Sequence, residues 1–364
     1  MRILFVDLDR EWRGGQSQAL LTVTGLRTRG HDAQLLAVGD APLVQRAEAA
    51  CVPVHVVGPR ARRILAAHLL HRLLAKQKYD LIHVNEPHAL TAAWLGRAQT
   101  IVPVLASRRV AYPLPRNSFA RKRYLAASRI LAISRFVEQS VLNSGISTEN
   151  VEVVYEGVEV PPPVTEQARG RARQRWRVND GNKLFGCVGY LLPEKGQEYL
   201  LRAFPAVLAK FPEARLLFAG DGPCREMLES LARNYGLQDA IVFAGFVEDI
   251  KQVYAALDVF MFPSLAEPLG TSMLAAMAWG LPVVAVASGG VPEYVQDDMT
   301  GLLVAQPEPN LFSVAMLRML GDESLRARLG NRARRRIEEE FSARRMVDCT
   351  IRVYEDVLAK RRKA

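Results

Sequence analysis

Cysteine is scarce in this chain, and the four present (Cys51, Cys187, Cys224, Cys349) are widely spaced with no Cys-x-x-Cys pair. That excludes a disulfide framework and a zinc ribbon, and leaves free thiols as the expectation. Long apolar runs are also missing, since no stretch approaches the roughly 20 residues of a membrane span. The opening segment, Met1 to Asp7, meets charge at once and lacks the apolar core and cleavage site of a signal peptide, so a cytoplasmic location is expected. No repeat with a period of roughly 20 to 50 residues is visible, which sets aside solenoids and propellers. Acidic residues are outnumbered, 38 against 48 Lys and Arg, for a net charge of +10. Such an excess suits a polyanion, an anionic membrane surface or a phosphorylated substrate. Nucleic acid is not expected as a partner, because there is no zinc finger, no aromatic RNA-binding signature and no basic region followed by heptads.

The chain has 364 residues, 49% of them hydrophobic and 24% charged. That is the composition of a soluble globular protein, long enough for two domains of roughly 150 to 200 residues. Strand-like apolar runs alternate with helix-period stretches: Arg2 to Asp7, Ala33 to Val38, Leu81 to Val84, Val102 to Ala106, Arg129 to Ile133 and Val151 to Tyr155. Alternation of this kind predicts βαβ units and a parallel sheet covered on both faces. It stops after Pro161-Pro162-Pro163, where a polar, Arg-rich stretch runs to Asn182, and proline stiffening followed by turn residues predicts a linker. Strand signals resume at Leu184 to Gly189, Arg215 to Gly220, Ile241 to Gly245, Val259 to Phe262 and Pro282 to Val286. The expected layout is a first domain over residues 1–163, a linker over 164–182, a second domain over 183–338, and a helical segment 339–364 packing back on the first domain. The fold class is α/β, with two Rossmann-like, doubly wound parallel sheets facing a central cleft. In such sheets ligands gather outside the carboxyl ends of the strands.

The densest motif is Glu267-Pro268-Leu269-Gly270-Thr271-Ser272, after a buried strand and at the head of a helical stretch. Glycine there lets a ligand approach the backbone, the first N–H groups of the helix have no internal partner, and a carboxylate just ahead of them can accept from sugar hydroxyls. An ordinary capping turn made by Thr271 and Ser272 would look the same in isolation. Its surroundings extend the pattern: Gly280 to Ala285, Gly289-Gly290-Val291-Pro292-Glu293 and Gly301 to Val304 follow. Pro193-Glu194-Lys195-Gly196, Ala219 to Pro223 and Phe243 to Val247 precede it. With these motifs the chain resembles glycosyltransferase family 4, retaining enzymes with the GT-B fold, specifically in the second half and loosely in the first.

The resemblance implies a nucleoside-diphosphate sugar as donor, no separate cofactor and no metal, and retention by same-face attack with the leaving phosphate helping to remove the acceptor proton. It casts Lys195 and Glu267 as the catalytic residues, with Lys195 pairing the diphosphate and Glu267 holding the transferred sugar. Leu269, Gly270, Thr271 and Ser272 would add donor contacts, and Gly14-Gly15 would form the loop facing the diphosphate from the first domain. Two positions depart from the family pattern. A second glutamate eight positions after the first, which binds ribose hydroxyls, is here Ala275, and the arginine that precedes the Glu-Lys-Gly turn gives way to Tyr190 after Gly189.

Arg109, His83 and His88 are candidates for the acceptor or a donor phosphate. Arginine replaces a histidine common in relatives, and its guanidinium can take a phosphate through two parallel hydrogen bonds. For His83, with apolar flanks, core packing is the competing reading. Asp7-Leu8-Asp9 resembles a metal-binding pair, but no metal site is expected. Two basic stretches, Arg60 to Lys78 and Arg116 to Tyr124, suit an anionic membrane and a lipid-linked acceptor. The function expected is transfer of a sugar to a cell-envelope glycan or lipid-linked acceptor. The alternatives are a non-catalytic sugar-nucleotide or glycan-binding relative, and a nucleotide-sugar epimerase on the same fold.

Overall fold

In the computed structural model, which describes residues 1–115, 118–179 and 181–363, the chain forms two compact units. Met1–Gly157 and the last helix, Ala343–Lys363, make the first; Val158–Ser342 makes the second.

The first unit is built on seven parallel strands: β1 (Arg2–Asp7), β2 (Asp32–Val38), β3 (Val54–Val57), β4 (Leu81–Val84), β5 (Val104–Arg108), β6 (Arg129–Ala132) and β7 (Val151–Val153). Their order is β3-β2-β1-β4-β5-β6-β7. Every residue of β4, β5 and β6 is buried, which is why these strands read as continuous apolar runs instead of alternating ones. β3 escapes sequence reading because it is only four residues long and half-exposed at the sheet edge. Helix Ala343–Lys363 gives Met346, Val347, Tyr354 and Val357 to the same core as Ala19, Val23 and Leu26 of helix Gly14–Thr28. Gly25 makes this approach possible, since a Cβ there would lie 2.5 Å from Val347 Cγ2.

The second unit holds six parallel strands: β8 (Lys183–Val188), β9 (Ala214–Ala219), β10 (Ile241–Gly245), β11 (Val259–Phe262), β12 (Val283–Val286) and β13 (Leu302–Val304). They are ordered β10-β9-β8-β11-β12-β13. The order reverses between β8 and β11, and a ligand crevice is expected at the carboxyl ends of those two strands.

One expectation is corrected. The stretch 164–182 contains helix Glu166–Arg175, capped by the Thr165 hydroxyl on Ala168 N at 3.2 Å, and it belongs to the second unit. Composition suggested a solvated linker, but Arg173 is buried and donates to Asp258 Oδ2 at 3.2 Å, while Arg169 donates to Asp258 Oδ1 at 2.8 Å. Asp180, within that stretch, and Arg116 and Asn117, which open the second basic stretch, lie outside the described residues. The long basic tail is two helices, Glu323–Glu340 and Ala343–Lys363, assigned to different units. All four cysteines are free. No helix among the described residues is long and apolar enough to cross a membrane.

Candidate active site

Three loops at the carboxyl edge of the second sheet are locked together through their backbones. After β8, Pro193–Lys195 forms a single tight turn ended by Gly196 at φ +67°. A Cβ on Gly196 would lie 2.3 Å from the Pro263 carbonyl oxygen, so only glycine lets the loops after β8 and β11 come this close. Leu265 N then donates to the Glu194 carbonyl at 2.8 Å. The loop after β12 braces the same segment: Gly290 N donates to the Glu267 carbonyl at 2.9 Å, and the Ser288 hydroxyl donates to the Ser264 carbonyl at 2.7 Å.

This framework places the side chains of Lys195 and Glu267 face to face, with Lys195 Nζ 2.7 Å from Glu267 Oε2. The Ser264 hydroxyl donates to the same oxygen at 2.9 Å. Ser264 was missed in the sequence; its position three residues before the motif glutamate is the signal that could have found it. Glu267 is buried, yet Oε1 has no hydrogen-bond partner among the described residues. Lys195 uses one of its three donors and keeps part of its side chain exposed. Beyond Glu267, Gly270 adopts φ +99° as the N-cap of helix Thr271–Ala278, with the Phe262 ring and the Tyr294 hydroxyl both 2.9 Å from where a Cβ would stand. The Tyr294 hydroxyl donates to the Leu269 carbonyl, fixing the turn. Burial, and then the neighbouring Glu267 and Glu293, hold its pKa well above the ordinary tyrosine range, so it stays a donor. The N–H groups of Leu269, Gly270 and Thr271 have no partner among the described residues, leaving a row of donors beside the Lys195–Glu267 pair. The Leu269 side chain itself is buried, so only its backbone can face a ligand. Ser272 sits half-buried in the first helical turn, and its carbonyl accepts from Tyr254. Tyr190 and Phe246, after β8 and β10 at the same edge, are both exposed.

In the first unit, Gly14 and Gly15 form the opening turn of helix Gly14–Thr28 instead of a loop ahead of it. Arg109, just past β5, packs its Cδ 3.6 Å from the Cβ position of Gly15. Its Nε donates to Glu156 Oε1 at 2.7 Å and its Nη1 to the Asn85 carbonyl at 2.7 Å, so two of its donors are engaged. Asp7 is buried and accepts from Asn85 Nδ2 at 2.5 Å and Gln16 Nε2 at 3.1 Å. Asp7 is thus tied into the unit's own hydrogen bonding, and no cluster of three His, Cys, Asp or Glu that could hold a metal ion occurs among the described residues. His88 stands half-buried in helix Pro87–Leu95.

His83 is corrected as a ligand candidate. It is buried, and both ring nitrogens are occupied within the unit, Nδ1 by the Tyr354 hydroxyl at 2.5 Å and Nε2 by the Ser107 hydroxyl at 2.8 Å. Burial first, and Arg109 second, push its pKa down to about 3. Unfolded histidine titrates near 6.5, so the unfolded chain binds the extra proton. The stability that His83 contributes is whole above pH 6.5 and is lost as pH falls toward 3. Glu86 acts oppositely. Burial and then Asp7 push its pKa up to about 7, against backbone hydrogen bonds from His88, Leu8 and Ala89, so its contribution is whole below 4.5 and lost as pH rises through 7. The two oppose each other between pH 4.5 and 6.5, and below that His83 acts without Glu86. Replacing His83 with Gln is expected to flatten the acid limb between pH 3 and 4.5 by about 1.4 kcal/mol per pH unit, read by urea unfolding at stepped pH. An unchanged slope would mean that the folded chain protonates His83.

Comparison with known proteins identifies the family. Residues 12–160 match the model for Glycosyltransferase Family 4, and residues 168–336 the model for Glycosyl transferases group 1. An uncharacterized glycosyltransferase of Methanocaldococcus jannaschii is 32% identical over 232 residues, 62% of this chain and 59% of that one. Spore coat protein SA of Bacillus subtilis is 27% identical over 368 residues, 94% of this chain and 95% of that protein. Among solved structures, Anabaena HepE in complex with UDP and glucose superposes with a TM-score of 0.85 at 23% identity, covering 98% of this chain and 99% of that one.

Proposed function

This chain belongs to glycosyltransferase family 4 and has the GT-B fold, and on that premise we propose that it moves a sugar from a nucleoside-diphosphate donor to a cell-envelope glycan or lipid-linked acceptor, with retention at the anomeric carbon. The observation that carries the donor half is the convergence at the β8/β11 switch point. There a partly exposed ammonium lies along one short segment with a carboxylate oxygen and three N–H groups that have no partner among the described residues. Glu267 Oε1 accepts from hydroxyls of the transferred sugar, and Lys195 with the N–H groups of Leu269, Gly270 and Thr271 holds the diphosphate. The bond from the anomeric carbon to the diphosphate oxygen breaks, and its electron pair leaves with the diphosphate. The acceptor oxygen bonds to that carbon on the same face, and its proton passes to the departing phosphate oxygen. Lys195 neutralises the charge that develops on this leaving group, and the transfer needs no metal.

The HepE complex with UDP and glucose makes a uridine donor the first to try. Ala275, half-buried on helix Thr271–Ala278, offers the ribose no acceptor. Loss of such a charge-assisted bond is worth roughly 1.5 to 3 kcal/mol. A cytoplasmic location at the inner face of the membrane belongs to the same proposal, supported by the net charge of +10.

Incubating the full chain with a panel of nucleotide sugars is expected to show slow release of nucleoside diphosphate from one donor, and α-linked product from an α-linked donor once an acceptor is supplied. The absence of both binding and release across the panel would sink the transferase reading. A donor converted to its epimer without release would identify an epimerase instead.

A further inference from the structure

We infer that the first unit carries a second ligand site, a pocket for a small phosphate monoester with a free hydroxyl, at the amino edge of its sheet. The pocket has a volume of about 310 Å³. Gln99 and Pro103, ahead of β5, form one wall, and Arg129, the first residue of β6, forms another. Lys360 and Arg361, in the last turns of helix Ala343–Lys363, close it over Val357. Because the strands are parallel, their amino ends share one edge, and Asp7 and Arg109 lie at the other. Three cations line the pocket, and among the described residues no carboxylate does. Asp356, just outside the lining, accepts from Arg129 Nη2 at 3.0 Å and lies 2.9 Å from Lys360 Nζ. That single carboxylate leaves two positive charges unmatched, which a phosphate monoester, close to doubly negative at pH 7, offsets.

Lys360 and Arg361 taken alone have a simpler explanation, since cations offset the negative partial charge at the end of a helix. Arg129 does not. Its side chain is only 9% exposed, and a guanidinium so buried ordinarily has its donors paired. Nη1 donates to the Glu149 carbonyl and Nη2 to Asp356, yet Nε has no partner among the described residues. Gln99 Oε1, from another wall, is likewise buried without a partner. The walls therefore hold one unmet donor and one unmet acceptor. An oxyanion satisfies the first and a hydroxyl the second. A single water, with about 30 Å³ of liquid volume, would leave most of the space and all of the excess charge unaccounted for. Arg361 is fixed in place by its Nη2 on the Ile101 carbonyl at 2.6 Å, so its charge does not swing free. Ligand pockets run from roughly 300 to 1,000 Å³, and a volume at the low end suits a ligand of few atoms.

The test is calorimetric titration of the full chain with glycerol 3-phosphate, alongside thermal melts. Saturable binding is expected, with a melting temperature that rises with ligand concentration. Methyl phosphate, which has no free hydroxyl, should bind more weakly, and Gln99→Leu should abolish that difference. Lys360→Gln with Arg361→Gln, at exposed positions, should weaken binding at least about tenfold while the chain stays folded. The double change Arg332→Gln with Arg335→Gln, at exposed positions of helix Glu323–Glu340, removes the same charge and should bind as the wild type does. Equal losses in both double variants would assign binding to overall charge. No binding by the wild type, or undiminished binding after Lys360→Gln with Arg361→Gln, would remove the site. Binding lost in Lys195→Ala instead would place the phosphate in the second unit. Each of these results overturns the inference, and equal affinity of the wild type for the two phosphates would take away the role of Gln99 and with it the hydroxyl. None of them bears on nucleotide-sugar turnover, so the transferase reading stands or falls separately.

Discussion

Lys195→Ala is expected to lower transfer from the nucleotide-sugar donor by roughly 10²- to 10³-fold while the protein stays folded. Among the described residues the ammonium has a single hydrogen bond, to Glu267, and nearly a third of its side chain is exposed, so little packing is lost with it. An ion pair this exposed contributes at most about 1 kcal/mol to stability. The loss should therefore fall on kcat, because negative charge on the leaving diphosphate builds up mainly in the transition state. Lys195→Arg should recover only part of the rate, since a planar guanidinium cannot occupy the compact position of an ammonium 2.7 Å from Glu267. Glu267→Gln keeps an acceptor for the sugar hydroxyls but loses the charge that steers Lys195, so both KM and kcat should worsen. Initial rates of nucleoside-diphosphate release, with thermal melts of each variant, separate these outcomes. Turnover by Lys195→Ala equal to wild type would remove Lys195 from the phosphate site.

Most of the fold was legible because its strands are buried on both faces and announce themselves as apolar runs. The two strands that went unseen were β3, exposed at the sheet edge, and β13, three residues long and hidden inside a glycine motif. The segments around Lys195 and Glu267 were legible as residue types at fixed spacing, since the turns that follow them demand glycine at 196 and 270. What brings those turns together was not. The Ser264 hydroxyl on Glu267, the Ser288 bridge and the Tyr294 latch on Leu269 depend on which loops adjoin, and that follows from strand order, not from local sequence. His83 stayed open as a candidate for a related reason, although its apolar flanks already favoured the core packing that the structure has. A histidine between apolar neighbours at a strand end is compatible with a site or a core, and its partner Tyr354 is 271 residues away.

The Arg-rich stretch before the second unit shows the same limit, and its misreading has a measurable consequence. Asp258, just ahead of β11, accepts from Arg169 at 2.8 Å, from Arg173 at 3.2 Å and from Leu184 N at 2.7 Å. Arg173 is buried and extends its remaining donors to the carbonyls of Ala256, Asn179 and Asn182. Removing one partner of a buried pair leaves the other charge uncompensated, at a cost of roughly 3 to 5 kcal/mol. Asp258→Ala is expected near the lower end, about 3 kcal/mol, because the three carbonyls still solvate Arg173. Arg173→Met should cost less, since the carboxylate keeps Arg169 and Leu184 N, and the double variant should fall short of the sum because the sites share a partner. Urea unfolding reports on this unit when it is followed by the fluorescence of Trp176, directly after helix Glu166–Arg175, in a background where Trp12, Trp94 and Trp279 are replaced by Phe. Donor binding should survive wherever the unit is folded, because Asp258 lies at the amino end of β11 and Glu267 beyond its carboxyl end. A cost well under 1 kcal/mol for Asp258→Ala would mean that the helix is the loosely held linker its composition suggested, and that the second unit is complete from β8 onward.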